Sequence, residues 1–261
     1  MRPLAEWQPG GVRGLLFDID DTLTTRGKLS AAAYAALERL KAAGRIVVPI
    51  TGRPAGWCDQ IARLWPVDAV VGENGAFYFW HDATAGRLQR RYHDPDEARA
   101  QKRARLGAIA DRILRAVPGC ALATDQAYRE TDLAIDYCED VPALPLAAAE
   151  QIAALMRDAG LSAKISSIHV NGWFGGYDKL SMARRLFAER FGVDLDAKQR
   201  EFSFVGDSPN DAPMFAFFDN SVGVANVRRF AATLPAAPRY ITGGESGAGF
   251  VELIEHLLGR G

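Results

Sequence analysis

The chain has 261 residues, of which 48% are hydrophobic and 24% charged, and its formal net charge is −1 at pH 7. This length accommodates one large α/β domain or a core with a smaller inserted domain, and the composition is ordinary for a globular protein. A charge so close to zero offers no electrostatic attraction to nucleic acid or to an anionic membrane, so we expect neither as a partner.

The cysteines and the N-terminal residues bear on location. Cys58, Cys120 and Cys138 form no CxxC pair and have no matching histidine spacing, which favours reduced thiols over zinc ligands or disulfides. The first residues lack the apolar segment of a secretory signal, and no run reaches the length of a membrane-spanning helix. We therefore expect a cytoplasmic protein.

The first predicted strand, Val12 to Phe17, ends at the carboxylates Asp18, Asp20 and Asp21. Open α/β sheets carry their chemistry at the carboxyl ends of their strands. In a regular strand Asp18 and Asp20 would share one face, and a divalent cation such as Mg²⁺ would relieve their repulsion. The alternative interpretation is an acidic turn in which Asp21 or Thr22 caps a helix.

The next elements alternate between helix and strand, each strand being followed by a polar loop. This alternation predicts a Rossmann-like, doubly wound parallel sheet. The elements are a helix from Ser30 to Gly44, a strand over 45–50 that ends at Thr51-Gly52-Arg53, a helix to about Trp65, and a strand over 69–71 that runs into Glu73.

The pattern then changes to strands that alternate between apolar and polar residues, which is typical of an antiparallel sheet with one buried face. We therefore predict an inserted α+β domain over 83–175, with the core formed by 1–82 and 176–261. The elements are a hairpin over 76–80 and 87–92, a helix over 95–117, strands over 121–124 and 132–137, a helix over 146–159 and a strand over 162–170.

The alternation of the core resumes at Lys179 with a helix to Phe191. A strand over 202–206 ends at Asp207, with Asn210 and Asp211 close behind. Short strands over 221–225 and 240–242 and a helix over 250–258 complete the chain.

The polar groups at the strand ends of the core form a coherent set: Asp18 and Asp20; Thr51 with Arg53; Lys179; and Asp207, Asn210 and Asp211. Because they belong to one edge of one sheet, residues far apart in sequence should meet in space. Carboxylates for a metal, a hydroxyl and a fixed cation suit a phosphoryl group in transfer. Taken alone, a lysine at the start of an amphipathic helix would usually be exposed to solvent.

These motifs resemble the haloacid dehalogenase (HAD) superfamily. Asp-x-Asp-x-Thr, Thr-Gly-Arg, a lone Lys and Gly-Asp-x-x-Asn-Asp occur in its order and spacing, from Asp18 to the loop that contains Asn226. The point of insertion is similar to that of subclass IIB, in which an α/β cap separates the second and third motifs. Many members have Gly where this chain has Asp21, so the role of Asp21 stays open between a helix cap and an outer partner of the metal.

The resemblance implies a role for each core residue. Asp18 would be the nucleophile and form an aspartyl-phosphate, and Asp20 would be the general acid and base. Thr51, Gly52, Arg53, Lys179 and Asn210 would bind the phosphate, with Lys179 also offsetting the charge of Asp18. Asp18, Asp207 and the backbone carbonyl of Asp20 would hold Mg²⁺, and Asp211 would lie in its outer shell.

The implied activity is that of a Mg²⁺-dependent phosphatase for a small phosphorylated metabolite, most plausibly a sugar phosphate. The alternatives are a phosphomutase similar to phosphomannomutase and a catalytically inactive protein that only binds a phosphorylated ligand. In the cap, Arg129, Lys164, His169 and Asn171 are weak candidates for contacts with the substrate. Trp173 and Phe174 suggest packing at a hinge or stacking on a sugar, and hinges are expected near Ala83 and at 172–176.

Overall fold

Thirteen strands and eight α-helices make up residues 1–259, the part of the chain that this computed structural model describes. The strands are β1 (Arg2–Pro3), β2 (Gly14–Phe17), β3 (Ile46–Pro49), β4 (Val70–Gly72), β5 (Phe77–Asp82), β6 (Arg87–Tyr92), β7 (Ala121–Leu122), β8 (Asp132–Asp136), β9 (Ser162–Ile165), β10 (His169–Trp173), β11 (Phe202–Gly206), β12 (Ser221–Gly223) and β13 (Tyr240–Ile241). The helices are α1 (Ala31–Ala42), α2 (Ala55–Leu64), α3 (Asp96–Ala116), α4 (Leu146–Asp158), α5 (Lys179–Leu186), α6 (Leu195–Lys198), α7 (Ala212–Phe217) and α8 (Ser246–Leu258).

The core is a Rossmann-like parallel sheet in the order β1-β13-β12-β11-β2-β3, with helices on both faces. Successive residues of β2 face opposite sides, as the alternation of a strand requires. Leu15 and Phe17 pack with α1 and α8, whereas Leu16 packs with α5 and α7. Both faces of β2 are therefore buried, and this explains its uninterrupted apolar sequence.

The predicted hairpin is present, but it belongs to the core side of the molecule. One parallel bridge between Ile50 and Val71 connects β3 to β4, and β4, β5 and β6 form an antiparallel sheet. The predicted boundary at 83 would divide β5 from β6, although six consecutive residue pairs join these strands. We therefore propose that the insertion begins after Tyr92 and that Ala83 lies in a hairpin turn and not at a hinge.

The inserted segment has a sheet of its own, antiparallel, in the order β7-β8-β10-β9. Helices α3 and α4 cover one face of it and bury Leu133, Ile135 and Val170. Because Val170 points to these helices, its neighbours His169 and Asn171 point to the opposite face. We refer to this α+β segment as the cap.

The single strand predicted over 162–170 is wrong, because the chain reverses at 166–168 and forms β9 and β10. The Ser166 hydroxyl holds this turn by accepting a hydrogen bond from the His169 backbone N–H at 3.0 Å. Gly172 lies inside β10, where a β-carbon would come within 2.6 Å of the Met156 sulfur. This glycine permits close packing on α4 and is not a hinge, whereas Gly175 has the positive φ of +124° that a bend requires.

Other elements differ from the prediction at their ends. Helix α8 begins at Ser246 and not at Phe250, because its glycine-rich first turn packs against the preceding loop. A β-carbon at Gly249 would lie 2.3 Å from the Gly244 carbonyl oxygen. Within residues 1–259 we find no helix that is both long and apolar enough to cross a membrane. Cys58, Cys120 and Cys138 are not joined by disulfides, and Cys58 is buried.

Candidate active site

Lys179 is buried at the carboxyl edge of the core sheet. It is the first residue of α5, whose start is fixed by a capping box between Asp178 and Ser181. Its ammonium nitrogen donates to Asp18 Oδ1 at 2.6 Å and to Asp211 Oδ1 at 2.7 Å, and only 2% of its surface is exposed. The alternative that Lys179 is exposed to solvent is therefore wrong.

Asp207 and Asp211 follow β11 and join Asp18 in one acidic cluster. One oxygen from each of these three carboxylates lies within 4.8 Å of the others. The second oxygen of Asp211 accepts hydrogen bonds from the backbone N–H groups of Asp207 and Ser208, at 3.1 and 3.3 Å. Gly206 is required before them, since a β-carbon there would approach Asp211 Oδ2 to 2.3 Å.

Three carboxyl groups of this cluster share one ammonium group. Burial raises the pKa of Asp18 to about 8; Lys179 opposes this rise, and the Asp211 and Asp20 carboxylates add to it. Burial, together with the Asp18 and Asp211 carboxylates, also raises the pKa of Asp207 well above its usual value. Burial lowers the pKa of Lys179, but its two carboxylate partners outweigh that effect and raise the pKa. One ammonium therefore only partly compensates three buried acids.

The carboxylate of Asp20 lies outside this cluster and pairs with Arg53. The Arg53 Nε donates to both oxygens of Asp20 at 3.0 Å, and Nη2 donates to Oδ1 at 2.9 Å. Asp18 and Asp20 nevertheless line one cavity at this edge of the sheet, although β2 ends at Phe17, before either of them.

Asp21 caps no helix in the part of the chain described. It lies in a turn with a φ of +55°, and the next helix, α1, is capped by Ser30 as predicted. The Asn226 side-chain amide donates to the Asp21 carbonyl oxygen at 3.0 Å and to Asp207 Oδ2 at 3.3 Å. Asn226 thus connects the loops after β2 and β11.

A small cavity of about 20 Å³ lies between core and cap. Its core wall includes five predicted site residues, namely Asp18, Asp20, Gly52, Arg53 and Asn210. Thr51 is fully buried just behind it, and its hydroxyl oxygen accepts a hydrogen bond from the Arg53 backbone N–H at 3.0 Å. That geometry leaves the hydroxyl proton available to another acceptor.

The cap wall of the cavity includes Arg129, His169 and Asn171, so three of the four cap candidates lie at the site. Lys164 instead lines a separate cleft of about 350 Å³. Trp173 is 1% exposed and its indole N–H donates to the Tyr177 carbonyl at 3.1 Å, which supports packing at the hinge over stacking on a sugar. Phe174 is also buried, in the core of the cap.

Sequence reasoning missed the acidic residues that connect cap and core. Arg129 donates to the Gly52 carbonyl of the core at 2.9 Å and pairs with Asp125 and Asp132 of the cap. Arg53 pairs with Glu139 of the cap at 2.6 Å. No local pattern in the sequence indicated these contacts, because they join residues that are far apart along the chain.

Glu73 is a fully buried carboxylate of the core that contacts the cap. In the core, it accepts a hydrogen bond from the Ala55 backbone N–H at 3.0 Å. From the cap, it accepts hydrogen bonds from the backbone N–H groups of Glu130 and Thr131, at 2.9 and 2.7 Å, and from the Thr131 hydroxyl. Burial and the nearby Asp132 raise the pKa of Glu73 to about 7, although Arg129 and these hydrogen bonds oppose the rise.

Comparison with known proteins agrees with this architecture. Residues 15–101 match the sequence model of the haloacid dehalogenase-like hydrolases. A phosphoglycolate phosphatase of Methanothrix thermoacetophila is 25% identical, covering 96% of this chain and 99% of its own, and one of Pyrobaculum neutrophilum is 28% identical, covering 96% and 98%. A solved structure from Thermoplasma acidophilum superposes with a TM-score of 0.69 at 17% identity, over 95% of this chain and 98% of that one.

In its fold, its motifs and its full-length relatives the chain is similar to the haloacid dehalogenase-like hydrolases, whose sequence model matches about a third of it. The α+β cap between the second and third motifs is similar to that of subclass IIB, and the two curated relatives indicate a phosphatase.

Proposed function

We propose that this phosphatase is a Mg²⁺-dependent phosphomonoesterase that hydrolyses a small sugar phosphate in the cytoplasm through an aspartyl-phosphate on Asp18. The observation that carries the proposal is the buried Lys179 ammonium between Asp18 and Asp211, beside Asp207. An ammonium there offsets the charge of a nucleophilic carboxylate and of the phosphoryl group that approaches it.

The donor set fits a magnesium ion. The candidate ligands are carboxylate and carbonyl oxygens, which Mg²⁺ prefers, and a bound cation would favour the ionised forms of Asp18 and Asp207, whose pKa values burial raises. Both oxygens of Asp211 already accept hydrogen bonds. We therefore assign Asp18 and Asp207, with the Asp20 carbonyl, as the ligands, and Asp211 as their outer partner. The bound ion would neutralise charge on the phosphoryl oxygens.

With these residues the reaction would take place in two steps. An Asp18 oxygen attacks phosphorus, the bond to the ester oxygen breaks, and Asp20 gives its proton to the leaving alkoxide. Asp20 next takes a proton from water, whose oxygen attacks the aspartyl-phosphate, releasing inorganic phosphate and restoring Asp18. Thr51, Gly52 and Asn210 would donate hydrogen bonds to the phosphoryl oxygens.

The cap would close the site during the reaction. A cavity of about 20 Å³ admits about one water molecule, so a phosphate ester can enter only if the cap or its side chains move. Closure over a bound ester would exclude bulk water and bring His169 and Asn171 to the leaving group.

The charged side chains around the cavity favour a sugar as the leaving group over a leaving group that carries a negative charge. The two guanidinium groups of the site, those of Arg53 and Arg129, are already paired with carboxylates. A carboxylate in the leaving group would meet Asp20 and Glu139, whereas sugar hydroxyls could donate hydrogen bonds to them. Phosphoglycolate is nevertheless the second candidate substrate, because both curated relatives are named as phosphoglycolate phosphatases.

Release of inorganic phosphate from a panel of sugar phosphates and phosphoglycolate, with Mg²⁺ and with chelator, tests the proposal. We expect Mg²⁺-dependent release that is fastest with a sugar phosphate and is abolished in Asp18→Asn. Isomerisation of the sugar phosphate without release would show the phosphomutase alternative, and binding without turnover would show the catalytically inactive alternative.

A further inference from the structure

The side chain of Arg53 lies between one core acid and two cap acids. Its Nε and Nη2 edge faces Asp20, and its other edge faces Glu139, with 2.6 Å from Nη2 to Oε1 and 3.4 Å from Nη1 to Oε2. Nη1 also lies 3.5 Å from Asp125 Oδ2. A planar guanidinium bound on both edges cannot rotate without breaking a pair of contacts.

Glu139 is held firmly in the cap. The Asp136 carboxylate accepts hydrogen bonds from the backbone N–H groups of Cys138, Glu139 and Asp140 at 2.8 to 2.9 Å, which fixes the turn after β8. His169 Nε2 lies 2.9 Å from Glu139 Oε2, although the alignment of these atoms is outside hydrogen-bond geometry. Burial raises the pKa of Glu139, but its contacts with His169 and Arg53 prevail and lower it to about 2.

The contacts of Arg53 lie on both sides of the boundary between core and cap. Asp20 and Arg53 belong to the core, and Glu139 and Asp125 belong to the cap. When the cap lifts, Arg53 keeps Asp20 and its stacking on Trp57, whose ring centre is 4.5 Å away, but it loses both cap carboxylates. The orientation of Arg53, and with it that of the Asp20 carboxylate, is therefore fixed on both sides only when the cap is closed.

We propose that Glu139 is a positioning residue that, through Arg53, aligns Asp20 for proton transfer to the leaving group only in the closed enzyme. The inference rests on the proposed function, because it assigns the acid role to Asp20. Glu139 itself need not touch the substrate, and Arg53 transmits its position across the boundary between the domains.

The test uses two esters of similar size that differ in their need for a proton. 4-Nitrophenyl phosphate releases a stable phenolate, whereas benzyl phosphate releases an alkoxide that must be protonated. Cleavage is followed in a single turnover with excess enzyme and Mg²⁺, for the wild type, Glu139→Ala and the isosteric Glu139→Gln. The matched control is Glu130→Ala, which removes a cap carboxylate that lies near Arg90 and Arg99, away from Asp20.

General acid catalysis contributes roughly 10²- to 10⁴-fold, so loss of alignment in Glu139→Ala should slow benzyl phosphate cleavage at least tenfold. Cleavage of 4-nitrophenyl phosphate should change less than about twofold, Glu139→Gln should lie between, and Glu130→Ala should match the wild type for both esters. Equal losses with both esters, or no loss with either, would overturn the role of Glu139 alone. A wild-type enzyme that cleaves neither ester would overturn the proposed function itself.

Discussion

Replacing Lys179 with Met would remove the only ammonium from a buried cluster of three carboxylates while keeping the length of the side chain. Breaking a buried pair by removing one partner costs about 3 to 5 kcal/mol. Since the pKa of Asp18 is already about 8, this carboxylate can take up a proton when its partner is lost. We therefore expect the free energy of unfolding at pH 7.5 without Mg²⁺ to fall by about 3 kcal/mol, the lower end of this range.

The sign of the pH dependence follows from the same groups. A carboxylate whose pKa is higher in the folded than in the unfolded protein destabilises the fold increasingly as pH rises from about 4 to the folded pKa. The pKa of Asp18 rises further without Lys179, so the variant should lose more stability than the wild type between pH 7.5 and pH 9, where Asp18 of the wild type becomes ionised. Added Mg²⁺ should restore part of the loss because it replaces the missing positive charge.

Denaturant unfolding at both pH values, with Mg²⁺ or chelator, measures these differences. The matched control is Arg184→Met, which removes a cation from the same helix that makes an exposed pair with Asp196 and lies over the Phe217 ring, where Met can still pack. That change should cost less than about 1 kcal/mol. A Lys179→Met protein as stable as the wild type at pH 7.5 without Mg²⁺ would refute the charge balance that we derive.

Three further changes test the surroundings. Asp18→Asn should abolish phosphate release yet raise the metal-free unfolding midpoint, because it removes one acid from the cluster; a lower midpoint would contradict this. Gly206→Ala should cost about 1 to 3 kcal/mol and most of the activity, as its β-carbon would displace Asp211, and both are measured by unfolding and phosphate release. Glu73→Gln places an amide N–H against the N–H of Thr131 and should cost about 1 to 3 kcal/mol, whereas unchanged unfolding would show that Glu73 does not secure the cap.

The sequence was most informative where local pattern decides the structure. The apolar run that ends in Asp18 and the Ser30 cap could be predicted because each depends on neighbouring residues. Lys179 could be assigned to the site only from the order of the motifs, since its own helix gives no sign of burial.

Tertiary contacts decided the rest. Asp20 pairs with Arg53, which is 33 residues further along the chain. Arg53 and Glu139 are 86 residues apart, and neither carries a local signal for the other. The hairpin was found, but the bridge between Ile50 and Val71 that keeps it with the core is a contact between elements, which no pattern within either strand reveals.

The central claim is that Asp18 becomes phosphorylated during turnover. Mixing the enzyme and Mg²⁺ with a sugar phosphate that it hydrolyses, quenching in acid and reducing with borohydride would convert an acyl phosphate into homoserine, which peptide mass spectrometry can locate. We predict homoserine at position 18 in the wild type and none there in Asp18→Asn. Phosphate release without modification of position 18, or with modification of another residue, would contradict the account.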